Sequence, residues 1–195
     1  SGNKYLQFTS TLKNLYGQIS ISDKAIRAGR EGMGAFTDLL NAEITGLMEA
    51  SKFNLARMLY GDGTGFLTSI TAVTDGVLTV QDTNNLIEGM LVDVYSTSAG
   101  VDKVAAKIVS IDRTEKKVTL SVAPTVTVGY LYNQGSKNKE ITGIKSIFAT
   151  GGNLYGVPRS SIASLLPYTK SSSGTLDDVK IQEVIDRVEN FANCT

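Results

Sequence analysis

Three alternating glycines form the stretch of this chain that most resembles a chemical site. Gly61, Gly63 and Gly65 are separated by Asp62 and Thr64, and glycine-rich loops of this kind can hold phosphate or metal ions. These glycines follow a predicted helix, whose C-terminal end is negative and repels phosphate. The lysine of a P-loop and the carboxylates of a calcium loop are also missing. We therefore interpret the stretch as a helix-terminating turn, with Gly61 expected in the left-handed conformation.

Residue types that commonly carry out catalysis are scarce. The 195 residues include no histidine and one cysteine, Cys194, so histidine-based triads and cysteine metal clusters cannot form within the chain. Asp177 and Asp178 are adjacent, but successive helical residues point about 100° apart, which favours compensation of the helix dipole over a carboxylate dyad. We predict no catalytic, cofactor-binding or metal-binding residue and a non-enzymatic role.

Composition limits the other classes of function. Nineteen basic and nineteen acidic residues cancel, so no net field draws the chain to nucleic acid or to an anionic membrane. Hydrophobic residues make up 42% of the chain and charged residues 19%, as in globular proteins. No apolar run approaches the roughly 18 residues that a membrane span needs.

The strongest structural pattern is a helix from Phe36 to about Tyr60. Apolar residues recur there at steps of three and four, and acidic residues precede basic ones, as the helix dipole favours. A helix of about 24 residues is roughly 36 Å long, enough to run the length of a small domain. Its apolar positions are Phe36, Leu40, Ile44, Leu47, Leu55, Met58 and Leu59.

Residues 69–135 have the character of short strands. Asp75-Gly76 separates two β-branched runs, as in a hairpin turn, and a charged turn at 112–117 separates two more. The stretches "EGMLVDVYS" and "VGYLYNQG" add two candidate strands. Four to six strands at a spacing of roughly ten residues predict a small barrel or sandwich inserted between helical elements.

The flanking segments give weaker signals. Partial alternation in residues 5–21 predicts extended β structure, and Ser22 or Asp23 is expected to start a short helix. After Lys139 we expect a strand or turn in "EITGIKSIF" and a short helical stretch near 160–166. A capping box from Thr175 to Asp178 then starts an amphipathic helix. The expected fold class is α+β, and the first and last residues suggest an excised fragment or a processed product.

Two longer stretches resemble the major capsid proteins of tailed bacteriophages. The arm "TSTLKNLYGQISISDKAIRAGREGMGAFTDLL" precedes the helix "NAEITGLMEASKFNLARMLYGDGTG", which is similar to the family's E-loop followed by its spine helix. Tyr155-Gly156-Val157-Pro158-Arg159 is a compressed version of the family's phrase "Y-x-G-[ILV]-x-R". The resemblance implies a tailed-phage capsid-like fold with four parts. These are an extended β arm and short helix (1–35), a spine helix (36–68), an inserted barrel or sandwich (69–138) and a mixed α/β segment leading into a truncated axial domain (139–195).

The same resemblance implies a structural function. The chain would be a homo-oligomeric subunit, arranged as hexamers and pentamers, of a phage or prophage shell around double-stranded DNA. Scaffolding or decoration proteins are further candidate partners; contact with DNA would be non-specific, and no membrane is involved. Assembly would occur in the bacterial cytoplasm and the product would be the virion capsid. Three alternatives remain open: a ligand- or surface-binding β module of a phage structural protein, an encapsulin-type compartment shell, and an enzyme that uses the glycine loop.

The resemblance places the intersubunit contacts in the arm. Its apolar side chains are unusual in so polar an extended segment, so either the core or another subunit covers them. Its basic residues form either a solvated helix face or an intersubunit contact. The candidate contact residues are Tyr5, Leu6, Phe8, Leu15, Tyr16, Lys24, Arg27 and Arg30, and the helix-terminating turn comprises Gly61, Asp62, Gly63 and Gly65.

Overall fold

The computed structural model describes residues 5–23, 26–27, 33–97, 100–162, 165–169 and 174–192. It is a mixed α+β structure with a closed six-stranded antiparallel barrel and few helices, which confirms the predicted class and the predicted barrel. The barrel strands are β1 (Phe66–Thr74), β2 (Val77–Val80), β3 (Leu91–Ser96), β4 (Gly100–Asp112), β5 (Lys117–Leu120) and β6 (Gly129–Asn133). The flanking elements are α1 (Met33–Tyr60), α2 (Ile144–Ile147), β7 (Asn153–Leu154), β8 (Val157–Pro158), a 3-10 turn (Arg159–Ser161) and α3 (Asp178–Ala192).

Helix α1 confirms the strongest sequence pattern. It has 28 residues, a length of roughly 42 Å, and it ends at Tyr60 as predicted. Among its described side chains, residues 36–60, Met58 is the one that is buried. Leu39, Ile44, Met48, Leu55 and Leu59 are all exposed. Most of the apolar surface of α1 therefore has no cover within the described part of the chain.

The barrel is built from hairpins that the local sequence encodes. Strands follow the order β1-β2-β5-β4-β3-β6, and the barrel closes because β6 pairs with β1. Asp75 and Gly76 join β1 to β2 with φ of 51° and 77°, the positive values that a type I′ turn needs. The charged turn predicted at 112–117 joins β4 to β5. Because the barrel is closed, each of its strands pairs with a neighbour on both sides and no strand edge is left free.

Alternating residues of the six strands fill the barrel. Asp93, a buried acid of β3, accepts the Ala105 N–H on Oδ1 at 2.9 Å and the Gly135 N–H on Oδ2 at 2.8 Å. It therefore links β4 to the turn after β6 without leaving a buried charge unpaired. The apolar core consists of Leu67, Ile70, Leu78, Val80, Leu86, Met90, Val92, Val94, Ala106, Ile108, Val118, Leu120 and Leu131.

The β structure predicted for residues 5–21 is wrong. Residues 5–22 contain no strand or helix, because a strand needs a partner and none pairs with them among the described residues. The arm is held at two points: the Thr9 N–H donates to the Tyr155 carbonyl at 2.9 Å, and Gly17 lies against Leu47 of α1. The expected short helix begins where predicted, since Asp23 is helical and the Ile26 N–H donates to the Ser22 carbonyl.

Three further predictions need correction after the barrel. The stretch predicted as a strand or turn contains α2, a single helical turn. At the start of α3 the cap is Asp177 rather than Thr175, because Asp177 Oδ1 accepts the Lys180 N–H at 2.9 Å. A carboxylate satisfies a free N–H at a helix N-terminus well and also suits the dipole. The helical stretch expected near 160–166 is a 3-10 turn at Arg159–Ser161.

No helix within the described ranges combines the length and the apolar composition that a membrane span requires.

Candidate functional site

The chain enters and leaves the barrel at nearly the same place. The Asn133 N–H, at the end of β6, donates to the Gly65 carbonyl at 3.1 Å, and the Asn138 N–H donates to the Thr64 carbonyl at 2.8 Å. The segment before β1 therefore lies beside the segment after β6. Adjacent ends are what an inserted domain needs, because the host structure then spans the insertion point without distortion.

The glycine turn ends α1 by a different geometry from the predicted one. The Gly61 N–H donates to the Met58 carbonyl at 3.1 Å, so the last turn tightens to a 3-10 type bond. Gly63 and Gly65 have φ of 87° and 74°, whereas Gly61 does not have positive φ. The prediction of a left-handed Gly61 is therefore wrong, and the reversal occurs two residues later. A Cβ on Gly65 would lie 2.6 Å from the Ser136 carbonyl oxygen.

Asp62 uses its carboxylate to hold this turn together. Its Oδ1 accepts the Thr64 N–H at 3.1 Å and the Thr64 hydroxyl at 2.5 Å, and its Oδ2 lies 3.0 Å from Lys145 Nζ. Burial raises the pKa of Asp62, but the bonds from Thr64 and Lys145 outweigh it and keep that pKa below its ordinary value. The carboxylate therefore connects the end of α1 to the region of α2.

A buried ion pair clamps the same junction. Arg57 Nη1 lies 3.0 Å from Glu140 Oε2 and Nη2 lies 2.5 Å from Oε1, with only 6% and 4% of the side chains exposed. The bidentate geometry joins α1 to the segment that leaves the barrel. Sequence reasoning missed this pair, because 83 residues separate its members and no local pattern links them. Arg57 Nε is buried and has no acceptor among the described residues.

The phrase singled out by the capsid resemblance forms a hairpin and a buried arginine. Tyr155-Gly156, with φ of 47° and 84°, turns β7 into β8. Arg159 follows and is only 1% exposed. Its guanidinium donates to the carbonyls of Ile147 at 3.1 Å, Leu165 at 3.0 Å and Ser146. Arg159 thus binds the carbonyl groups at the end of α2 and fixes the hairpin beside it.

The predicted arm contacts lie on the surface. Tyr5 and Tyr16 are 91% and 84% exposed, and Leu6, Phe8 and Leu15 are each roughly half exposed. Phe8 stands edge-on to Tyr155, with 6.4 Å between ring centroids. These apolar side chains therefore lie outside the core of this chain.

The predicted basic contacts are only partly described. Arg27 pairs with Asp23 at 2.7 Å across one turn, and both side chains are exposed. Lys24 and Arg30 lie outside the described residues. For Arg27, the solvated-face alternative and the intersubunit alternative both remain compatible with this geometry.

An aromatic cluster on the outer face of the barrel was not anticipated. Phe66 of β1, Tyr95 of β3 and Tyr130 and Tyr132 of β6 meet edge to face, with centroid separations of 5.1 to 6.1 Å. Lys137 Nζ lies 3.7 Å from the centroid of the Tyr95 ring. Burial raises the pKa of Tyr132, and the neighbouring tyrosines and Asp62 raise it further. The two tyrosines at alternate positions of β6 were the sequence signal that could have predicted this cluster.

A cleft of about 480 Å³ separates the last two turns of α1 from the barrel. Its lining includes Phe53 and Tyr60 of α1, Phe66 and Asp82 of the barrel, and Lys145 of α2. A second cavity, of about 470 Å³, lies under the arm and shares Asp62 with the first. Across the described residues, no three histidine, cysteine or carboxylate side chains gather as a metal site would require.

Comparison with known proteins identifies no matching family model, no matching curated protein and no matching solved structure. Function is therefore inferred from the residues of this chain and from the resemblance noted in its sequence.

Proposed function

We propose that this chain is a major capsid subunit of a tailed phage or prophage, which assembles into an icosahedral shell around double-stranded DNA. The observation that carries the proposal is the uneven burial of apolar side chains. The barrel has a complete core, whereas the arm, α1 and α3 leave large apolar side chains exposed, which marks an association surface. These exposed residues include Tyr5, Leu12, Tyr16, Leu39, Ile44, Met48, Leu55, Leu59, Leu176, Val179, Ile181, Ile185 and Val188.

The elements that expose these side chains suit repeated subunit contacts. The arm is held at Thr9, which bonds to Tyr155, and at Gly17, which lies against Leu47 of α1, and it is not part of a sheet. In the resembling family such an arm reaches over a neighbour, and the spine helix runs beneath it. Many weak copies of one contact add through multivalency, so no single interface has to be strong. A net charge of zero limits repulsion between closely packed copies.

The proposal names partners and a place. Identical copies would form hexamers and pentamers, and scaffolding or decoration proteins would bind the assembled surface. DNA would touch the inner surface without sequence preference. The subunits would assemble in the bacterial cytoplasm and end in the virion capsid, and no step would need a catalytic residue.

Electron microscopy of the full-length protein, expressed alone, tests the proposal. We expect closed shells, or rings of six and five subunits. Leu55→Gln should reduce assembly because it removes an exposed apolar contact of α1, while Lys52→Gln, at another exposed position of α1, should not. A protein that stays monomeric at high concentration would contradict the proposal.

The aromatic cluster supports a second candidate function, a surface-binding role for the barrel. Tyrosine and phenylalanine side chains are common anchors in binding surfaces. Joining Gly65 to Gln134 through a short linker would remove the barrel, and the adjacency of its ends permits this. Shells that still assemble but no longer attach to a cell surface would favour the binding role. Purified particles that enclose protein instead of DNA would favour the encapsulin-type alternative.

A further inference from the structure

We infer that the cleft between α1 and the barrel receives a basic side chain from the arm of a second copy of this chain, an inference that rests on the proposed function. The cleft is bounded by the last two turns of α1, the start of β1 and the loop after β2. Its chemistry is that of a receptor for an ammonium or guanidinium group.

Aromatic rings line the cleft on both sides. Phe53 and Tyr60 are seven residues apart on α1, so they project from the same face of the helix. Phe66 faces the cleft from the barrel, and Tyr60 is 72% exposed. The faces of aromatic rings attract ammonium and guanidinium groups. These walls therefore favour a cation that also has an apolar stem, as lysine and arginine do.

The charged side chains that line the cleft carry one more negative charge than positive charge. Arg57 pairs with Glu140, and Lys145 pairs with Asp62. Asp82 forms no ion pair with a described residue, and its Oδ1 accepts a hydrogen bond from the Asn84 N–H at 3.2 Å. The negative C-terminal end of α1 also lies here, since Tyr60 and Gly61 line the cleft. A cation entering the cleft would meet an unpaired carboxylate and the negative end of a helix.

The arm carries the complementary charge. Residues 1–30 contain five basic residues and one acid, a net charge of +4, and the whole chain is neutral, so residues 31–195 carry −4. Complementary charge of this kind steers association and selects the partner. The described residues of the chain's own arm line the second cavity, where Lys13 lies, and none of them lines this cleft. The cleft is therefore open to the arm of a neighbour.

Binding of a labelled arm peptide to the full-length chain tests the inference. The probe is a fluorescein-labelled peptide of residues 4–30, and the dissociation constant is measured by fluorescence anisotropy at low and at high salt. Asp82→Asn keeps the oxygen that accepts the Asn84 N–H but removes the charge, so binding should weaken about two- to fivefold at low salt. Asp75→Asn, the same change at the exposed β1–β2 turn, is the matched control and should bind like the original chain.

A second variant tests the aromatic wall. Phe53→Leu keeps an apolar side chain but removes the ring, and binding should weaken about threefold. Circular dichroism checks that each variant keeps its fold. Equal dissociation constants for the original chain, Asp82→Asn and Phe53→Leu would overturn the inference.

The outcomes separate this inference from the capsid proposal. Shells formed by the original chain, with peptide binding insensitive to Asp82, would leave the capsid proposal intact and overturn the cleft as the receptor. Peptide binding that depends on Asp82, in a chain that forms no shells or rings, would support the receptor and count against the capsid proposal.

Discussion

The barrel and the segments around it stand in sharp contrast. The six strands enclose thirteen buried apolar residues, whereas outside the barrel the buried apolar side chains of the described chain are Met58, Leu154 and Val157. The barrel can therefore stabilise itself, and the flanking segments depend on what they contact. The barrel therefore contains most of the buried apolar core, whereas the arm, α1 and α3 carry the exposed apolar side chains that we propose for association.

Buried charged side chains have different kinds of partner in the two regions. Asp93 in the barrel is satisfied by two backbone N–H groups. Outside the barrel, Arg57 and Glu140 form an ion pair, and Arg159 binds three carbonyls. Buried polar contacts thus hold the junction where apolar contacts are few, and such contacts are directional.

The largest expected difference comes from deleting apolar contacts in each region. Ile108→Ala removes a fully buried side chain of β4 and should lower the free energy of unfolding by about 4 kcal/mol. Leu55→Ala removes an exposed side chain of α1 and should change that free energy by less than about 0.5 kcal/mol. Urea unfolding of the monomer, followed by circular dichroism, measures both. Equal losses would break the comparison between the two regions.

Breaking the buried ion pair should have the next largest effect. Glu140→Ala leaves the Arg57 charge buried without its partner, and we expect a loss of about 3 kcal/mol in the free energy of unfolding. The double variant Arg57→Met with Glu140→Leu removes both charges and should recover most of that loss. Urea unfolding of the single and double variants measures the difference. A double variant as unstable as the single one would show that the pair itself stabilises the junction.

Two glycine substitutions sharpen the contrast between the turn and the helix. Gly65→Ala places a Cβ against the Ser136 carbonyl at positive φ, so we expect a loss of about 2 kcal/mol. Gly46→Ala lies within α1 with nothing within 4 Å of the added Cβ, and it should gain roughly 0.5 to 1 kcal/mol. Urea unfolding of both variants measures these opposite changes in the free energy of unfolding. A loss at Gly46 would mean that the exposed face of α1 is more constrained than the structure indicates.

The smallest effect is a dependence on pH at the glycine turn. Asp62 has a pKa below its ordinary 3.8, so its carboxylate stabilises the folded chain above the unfolded pKa. That stabilisation is lost as the pH falls through the lower folded pKa. Asp62→Asn should therefore be less stable by under about 1 kcal/mol at neutral pH, and the gap should close in strong acid. Urea unfolding of both proteins at neutral and at acid pH measures their difference in stability. A difference that stays the same at both pH values would contradict the prediction.

Local patterns in the sequence predicted the elements that need only near neighbours. The periodicity of residues 36–60 predicted α1, because helix bonds join residues four apart. Asp75-Gly76 predicted the β1–β2 hairpin, because a type I′ turn depends on two residues. The same reasoning failed for residues 5–21, where apolar alternation has no partner strand to pair with. It also failed for Gly61, where the tightened last turn of α1 moved the left-handed residues to Gly63 and Gly65.

The candidate site was predicted less completely than the fold. The sequence singled out the glycine turn and the arm. The partners of Arg57 and Arg159 are 6 to 83 residues away, and Thr64, a partner of Asp62, is in the same turn. The cleft depends on α1, β1 and the loop after β2 meeting at one point. Sequence periodicity does not predict these contacts, because they join segments that are distant in the chain and meet only in the folded structure.

By itself, the sequence determined the helix, the hairpins, the neutral total charge and the positive arm, since each depends on residue types or on neighbours within a few positions. The tertiary structure alone decided that the barrel closes, that its ends lie side by side and that Arg57 meets Glu140. It also decided which apolar side chains stay exposed. Burial is a property of packing between distant segments, so the surface proposed here for association becomes visible only in the folded chain.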